Sequence, residues 1–379
     1  MDVHEHGPHE GACVAPTNDE RTPRKLVVYL DQCYLSNMAQ AAFGAKRSDP
    51  KYSIFGQLFE TARRLVVDDK AIFPESMVHG SEADLAENSR ALIRKVTGSL
   101  AWGLRLRSPD QIMTAQLTKG LIQWYGRDPD PPLRDWGEAF KRDPQEAISN
   151  RSTKAWDSEV LVTVDWPPSG EEVREQKRRR PERTAELERI RQECVDRKIT
   201  YDTQLEEERL AAIGWTCLYP TFVRMYAAAL ELVWKGKSPD EPLDEQLVKN
   251  VAMDLVGPNS LDWLVSRLAQ LRITPQRAFS FLMSHQAKLL PYFDIQSRLW
   301  ASVVTDRDRR VQPGDANDIE AISTALPYCH VLTCDSYFSG LVTKHRKKSP
   351  SIVEDYGLQR VFAGTPRDAE AFLSLLKAL

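Results

Sequence analysis

Two short apolar runs at opposite ends of the chain each give way to an aspartate, and this constrains the fold more than anything else in the sequence. Lys25-Leu-Val-Val-Tyr-Leu30 runs into Asp31, and His330-Val-Leu-Thr333 leads to Asp335. A continuous apolar run of this length suits a strand buried on both faces, the habit of parallel sheets covered by helices. In such sheets, ligands gather at the carboxyl ends of the strands. Two carboxylates brought together there repel each other, and a divalent cation is their natural compensation. Oxygen-only ligands favour Mg²⁺ or Mn²⁺ over zinc.

The flanking pattern alternates between strand and helix. Residues 53–67 carry Ile54, Phe55, Leu58, Phe59, Ala62, Leu65 and Val66 at helical spacing. Ala71-Ile-Phe73 reads as a short strand, and Ser76 opens a helix through Glu82. Near the other end, Ile319 to Leu326 form an apolar helix face, Arg360-Val-Phe-Ala363 a strand, and Asp368 to Leu379 a closing helix. The expected domain map is a disordered tail over 1–24, an α/β domain split into 25–90 and 291–379, and a mostly helical insertion over 91–290. Within the insertion, Leu100–Leu106, Ile112–Trp124, Leu133–Ile148, Trp215–Val233, Leu243–Leu255 and Leu261–Leu271 are helical candidates, and Val160–Val164 is strand-like. Residues 171–212 are densely charged. They predict a long, partly exposed helix or a hairpin interrupted at Pro181.

At 379 residues with 42% apolar side chains, the chain can bury a sizeable core. Its 51 basic and 54 acidic residues nearly cancel, which excludes a bulk nucleic-acid coat protein. The six cysteines form no CxxC pair, so a zinc knuckle is not expected. Residues 1–24 lack an apolar core, and no run is long enough to span a bilayer, so neither a secretory leader nor a membrane anchor is expected. Reduced thiols and a cytoplasmic location are the simplest expectation.

Four acids lie in an order that resembles a known family. Tyr29-Leu-Asp-Gln-Cys-Tyr-Leu-Ser36 is similar to the first motif of PIN-like ribonucleases, an apolar strand ending in Asp with Ser or Asn just beyond. Phe73 to Glu82 is similar to the second, a strand followed by a helical Glu. Gly314 to Asp335 resembles the third and fourth joined, with an Asp opening a helix and then Thr-x-Asp after a strand. The matching segments cover less than half of the chain. Where many relatives carry Asn two residues after the first Asp, Cys33 stands, and Ser36 or Asn37 is the substitute.

The resemblance implies an α/β, three-layer PIN-like fold with a central parallel sheet. It also implies a metal-dependent endonuclease, with RNA favoured over DNA by the family alone. Asp31, Glu82, Asp318 and Asp335 would be the catalytic, metal-binding acids, with Asp315 a fifth metal candidate, around Mg²⁺ or Mn²⁺. Ser36, Arg307, Arg309, Arg310 and Lys344 are candidates for substrate contact, because cations on both sides of an acidic centre suit a polyanion. Each has a blander reading. Asp31 and Asp318 are equally good helix caps, Glu75 competes with Glu82, and His79 reads first as a structural histidine. Lys177-Arg-Arg-Arg180 with Arg183 reads as a solvated helix face balanced by nearby glutamates. The alternative function is a catalytically inactive scaffold or nucleic-acid-binding protein. In either case the helical block offers a surface for a second copy or a regulatory protein.

Overall fold

The fold is taken from a computed structural model, which describes residues 25–47, 49–79, 89–124, 170–215, 280–346 and 350–379. The expected tail, Glu82, the strand-like 160–164 segment and the helical candidates over 133–148, 216–233, 243–255 and 261–271 lie outside these residues.

Four strands form one parallel sheet: β1 (Leu26–Tyr29), β2 (Ala71–Ile72), β3 (Val331–Cys334) and β4 (Arg360–Ala363). Their order is β2-β1-β3-β4. The register pairs Leu26 with Ala71, Val28 with Val331 and Leu332 with Val361. Successive side chains of a strand point to opposite faces, and β1 divides its residues accordingly. Val27 and Tyr29 join one core, while Val28 and Leu30 join the other. Apolar layers on both faces explain why β1 and β3 read as continuous apolar runs.

On the Val28 face lie α1 (Gln32–Ala42), α2 (Ser53–Val67), α3 (Arg90–Ala101) and α12 (Pro366–Lys377). They insert Tyr34, Leu58, Val96 and Phe372, all buried. The Tyr29 face is covered by α4 (Pro109–Trp124), α8 (Pro291–Val304), α9 (Asp315–Ala325) and α10 (Ser336–Thr343). Their contributions include Ile112, Phe293, Ile319 and Phe338. Thus α4 and all but the first residue of α3, which fall within the range 91–290, pack against the elements around the sheet. Short helices α7 (His285–Lys288) and α11 (Ile352–Asp355) complete this side.

Two further helices, α5 (Gly170–Asp196) and α6 (Tyr201–Trp215), pack against α8. The expected break at Pro181 is not found. α5 runs through Pro181 as one 27-residue helix, and the chain turns instead at 197–200, where Lys198 has a positive φ of 54°. Proline removes one helical amide bond, but packing on α8 and the ties described below hold the helix across it. The helix expected over Leu100–Leu106 is also absent. α3 ends at Ala101 because Trp102 and Gly103 take φ values of 51° and 75°. The chain then extends so that Arg105 bridges Glu75 in parallel.

The α6 helix is fastened to α8 by buried charge. Asp294 accepts from Arg209 at 2.6 Å, Arg298 at 3.5 Å and the Tyr356 hydroxyl at 3.1 Å. Arg298 also pairs with Asp355 and donates to Pro350 O at 2.6 Å. None of the described helices is long and apolar enough to cross a membrane.

Candidate active site

Asp31 and Asp335 stand just past the carboxyl ends of adjacent strands β1 and β3. The sheet order makes this the switch point, since the chain leaves β1 towards β2 on one side and returns to β3 on the other. Crevices at such points hold the ligands of open α/β sheets. Both aspartates cap the helix that follows. An oxygen of Asp31 accepts from Cys33 N–H at 3.4 Å, and one of Asp335 accepts from Phe338 N–H at 2.7 Å. Asp31 N–H in turn donates to Thr333 Oγ1 at 2.7 Å, a cross-strand bond that fixes the two strand ends relative to each other.

The electrostatics are those of a crowded acidic face. Burial raises the Asp31 carboxyl above its ordinary range, and the Asp335 charge adds to this; hydrogen bonds from Cys33 and Gln32 oppose it. The Cys334 thiol is pushed well up by burial and then by four nearby carboxylates, Asp31, Asp335, Asp318 and Asp368. Burial and Asp31 push Cys33 up in the same way.

Three expected acids, Asp31, Asp318 and Asp335, are therefore brought within electrostatic reach of one point. Asp368 joins them unannounced. It lies in the first turn of α12, after β4, where it accepts from its cap Thr365 Oγ1 at 2.6 Å. The detectable signal was a third strand end followed by Thr-x-x-Asp, a helix-start pattern.

Other expected residues are engaged elsewhere. Asp315 is 1% exposed, and both its oxygens accept from Arg309, each at 2.7 Å, with Gln312 N–H adding a third bond at 2.8 Å. Arg309 also stacks on Tyr337, 3.8 Å from the ring centroid, and Tyr337 donates to Asp306 at 3.0 Å. A buried carboxylate needs such a partner, so this pair holds the 306–315 segment. The two residues expected as a metal ligand and a substrate contact are thus paired with each other in this structure. Glu75, the rival of Glu82, is paired with Arg105 at 2.7 Å. His79 is buried, stacked on Tyr29 at 4.9 Å, and accepts from Ser76 N–H at 3.2 Å. Ser36 is half-buried on α1, while Arg307, Arg310 and Lys344 are exposed.

Among the described residues, no group of three His, Cys, Asp or Glu side chains is arranged to hold a metal ion. Of the expected acids, Asp31 and Asp335 lie at neighbouring strand ends. They are hard oxygen donors, and burial and mutual repulsion raise the first of them. Comparison of the chain with family models, curated proteins and solved structures found no match.

Proposed function

We propose that this chain is a metal-dependent endonuclease with a PIN-like α/β domain, hydrolysing phosphodiester bonds of nucleic acid, with RNA favoured on the family resemblance. The observation that carries the reading is the pair Asp31 and Asp335 on adjacent strand ends at the switch point of a parallel sheet. Asp31 and Asp335 would hold Mg²⁺ or Mn²⁺, and Asp318, Asp368 and Glu82 would orient its water ligands. A bound divalent ion supplies a water of lowered pKa and offsets charge on the non-bridging oxygens. The protein's own contribution is positioning. The Asp31–Thr333 bond sets the spacing of the two strand ends, and the two helix caps fix the carboxylate rotamers.

One set of observations favours a second reading, a scaffold of the same fold that binds nucleic acid without cutting it. Arg309 takes up both oxygens of Asp315, and no three-ligand group occurs among the described residues. Labelled single-stranded RNA and DNA incubated with Mn²⁺, Mg²⁺ or EDTA separate the two. Cleavage by wild type that disappears in Asp31→Asn and Asp335→Asn supports the nuclease. Equal cleavage by wild type and both variants overturns the site, and intact substrate with every protein and ion supports the scaffold.

A further inference from the structure

The basic run on α5 does not behave as one solvated face. Arg178 and Arg179 turn to Glu175 and Glu182 on their own helix, at 2.6–2.9 Å. Lys177, Arg180, Thr184 and Glu188 instead share a second face by their spacing of three and four residues. They line a groove of roughly 590 Å³ whose other wall carries Arg310 and Val311. Small Pro181 and Ala185 lie between them and leave the groove open.

Two features show that this groove is held in shape. Three side chains of α5 tie down the segment opposite. Arg191 donates to Asp306 O at 2.9 Å, Glu188 accepts from Val311 N–H at 2.9 Å, and Arg180 Nε donates to Pro313 O at 3.1 Å. The groove's acid is also already matched. Glu188 accepts from Arg191 at 2.8 and 2.9 Å, and this bond lowers its pKa. The lining is thus net positive, from Lys177, Arg180 and Arg310.

The groove opens beside the acidic face. A Cβ placed on Gly314 would lie 3.3 Å from an Asp318 carboxylate oxygen and 3.8 Å from the Arg180 guanidinium. One end of the basic groove therefore sits next to one of the acids around Cys334.

We infer that the groove between α5 and residues 310–313 binds the phosphodiester backbone of a single nucleic-acid strand, with Lys177, Arg180 and Arg310 contacting phosphates and leading the strand towards Asp318. This names a substrate path for the proposed nuclease site and rests on that reading for its direction. The binding itself does not need catalysis. Arginine's fork suits phosphate oxygens, and lysine adds a point charge.

The test is fluorescence anisotropy of a labelled single-stranded RNA with the full chain, in EDTA and in Ca²⁺, over a salt series. The K177A/R180A/R310A variant should bind at least about tenfold more weakly. Its log–log salt dependence should be shallower by about 2, as expected for three lost contacts to a single strand. R180K keeps the charge but loses the bond to Pro313 O. Near-normal binding by R180K assigns Arg180 to phosphate contact, whereas a loss as large as R180A with a lowered Tm makes it structural and overturns its role. Triple-variant affinity within twofold of wild type, with an unchanged salt slope, overturns the groove, as does no binding by wild type in either buffer. Groove failure and nuclease failure stay distinct. Wild type that binds through the groove but never cuts with Mn²⁺ sinks only the nuclease, and cleavage with unchanged KM in the triple variant sinks only the groove.

Discussion

Replacing His79 gives a sharp test of how the Tyr29 side of the sheet is built. The imidazole is buried, stacks on Tyr29 and accepts a hydrogen bond from Ser76 N–H, so its neutral form belongs to the fold. Burial pulls its pKa from 6.5 to about 4, with the Leu30 carbonyl opposing. The unfolded chain takes up a proton below about 6.5, while the folded chain resists until about 4. The histidine's stabilising share is therefore complete above pH 6.5 and is lost as pH falls from 6.5 to 4. The lost amount is about 3 kcal/mol, from about 1.4 kcal/mol per tenfold change in proton affinity. His79→Asn cannot titrate. Its stability deficit relative to wild type, measured by urea unfolding, should be constant above pH 7 and shrink by about 3 kcal/mol by pH 4. Other ionisable groups cancel in that difference. A deficit that stays flat from pH 7 to pH 4, or an imidazole resonance titrating near 6.5, would refute the burial argument. The same placement predicts that His79→Asn leaves the pH limbs of any cleavage activity where they are.

Four other outcomes follow from particular contacts. Asp294→Ala strands Arg209 and Arg298 without their buried partner, so unfolding should be easier by about 3–5 kcal/mol, and a loss below about 1 kcal/mol in urea melts contradicts the network. Arg309→Gln leaves Asp315 buried and uncompensated, with a cost of the same order, and adding Asp315→Asn should recover much of it in a double-mutant cycle. Mn²⁺ at about 100 times its Kd should stabilise wild type by about 2.7 kcal/mol, and a scanning-calorimetry shift retained in an Asp31→Asn/Asp335→Asn double variant argues against this site. Thr333→Val removes the acceptor of the Asp31 amide at a cost of about 1–3 kcal/mol, and it should shrink the Mn²⁺ shift, whereas Thr333→Ser restores both.

The parallel α/β architecture was legible because burial on both faces leaves a continuous apolar signature, as at Val27 to Leu30 and Val331 to Cys334. α2 was legible to the residue because Leu58, Phe59, Ala62 and Leu65 keep a single stripe. Leu100–Leu106 misled for a physical reason. Its apolar residues carry helical spacing, but Gly103 lets the chain leave the helix, and Leu104 and Leu106 are buried as extended backbone. Pro181 misled because its local penalty is outweighed by contacts between residues distant in sequence. The pairing of Asp315 with Arg309, only six residues away, was not legible, because a motif reports an acid's presence but not which neighbour bonds to it. Asp368 was masked by its second use beside the Thr365 cap.

The outer helices are attached differently from the sheet's own, and this decides what a salt titration can measure. α6 is fastened to α8 through Asp294, 4% exposed, where added salt screens little. α5 is fastened through backbone-directed bonds from Arg191, Glu188 and Arg180, the first two joined in a pair whose arginine side chain is 7% exposed. Its exposed ion pairs, such as Arg178 with Glu175, add little, because solvent and salt screen them. Moderate salt therefore removes little of what holds α5 in place, while counterion competition at a bound strand rises steeply. If nucleic-acid binding weakens with salt while the Tm stays level, the loss belongs to phosphate contacts in the groove. If binding and Tm fall together, α5 is detaching, and the groove's cations act only through the fold.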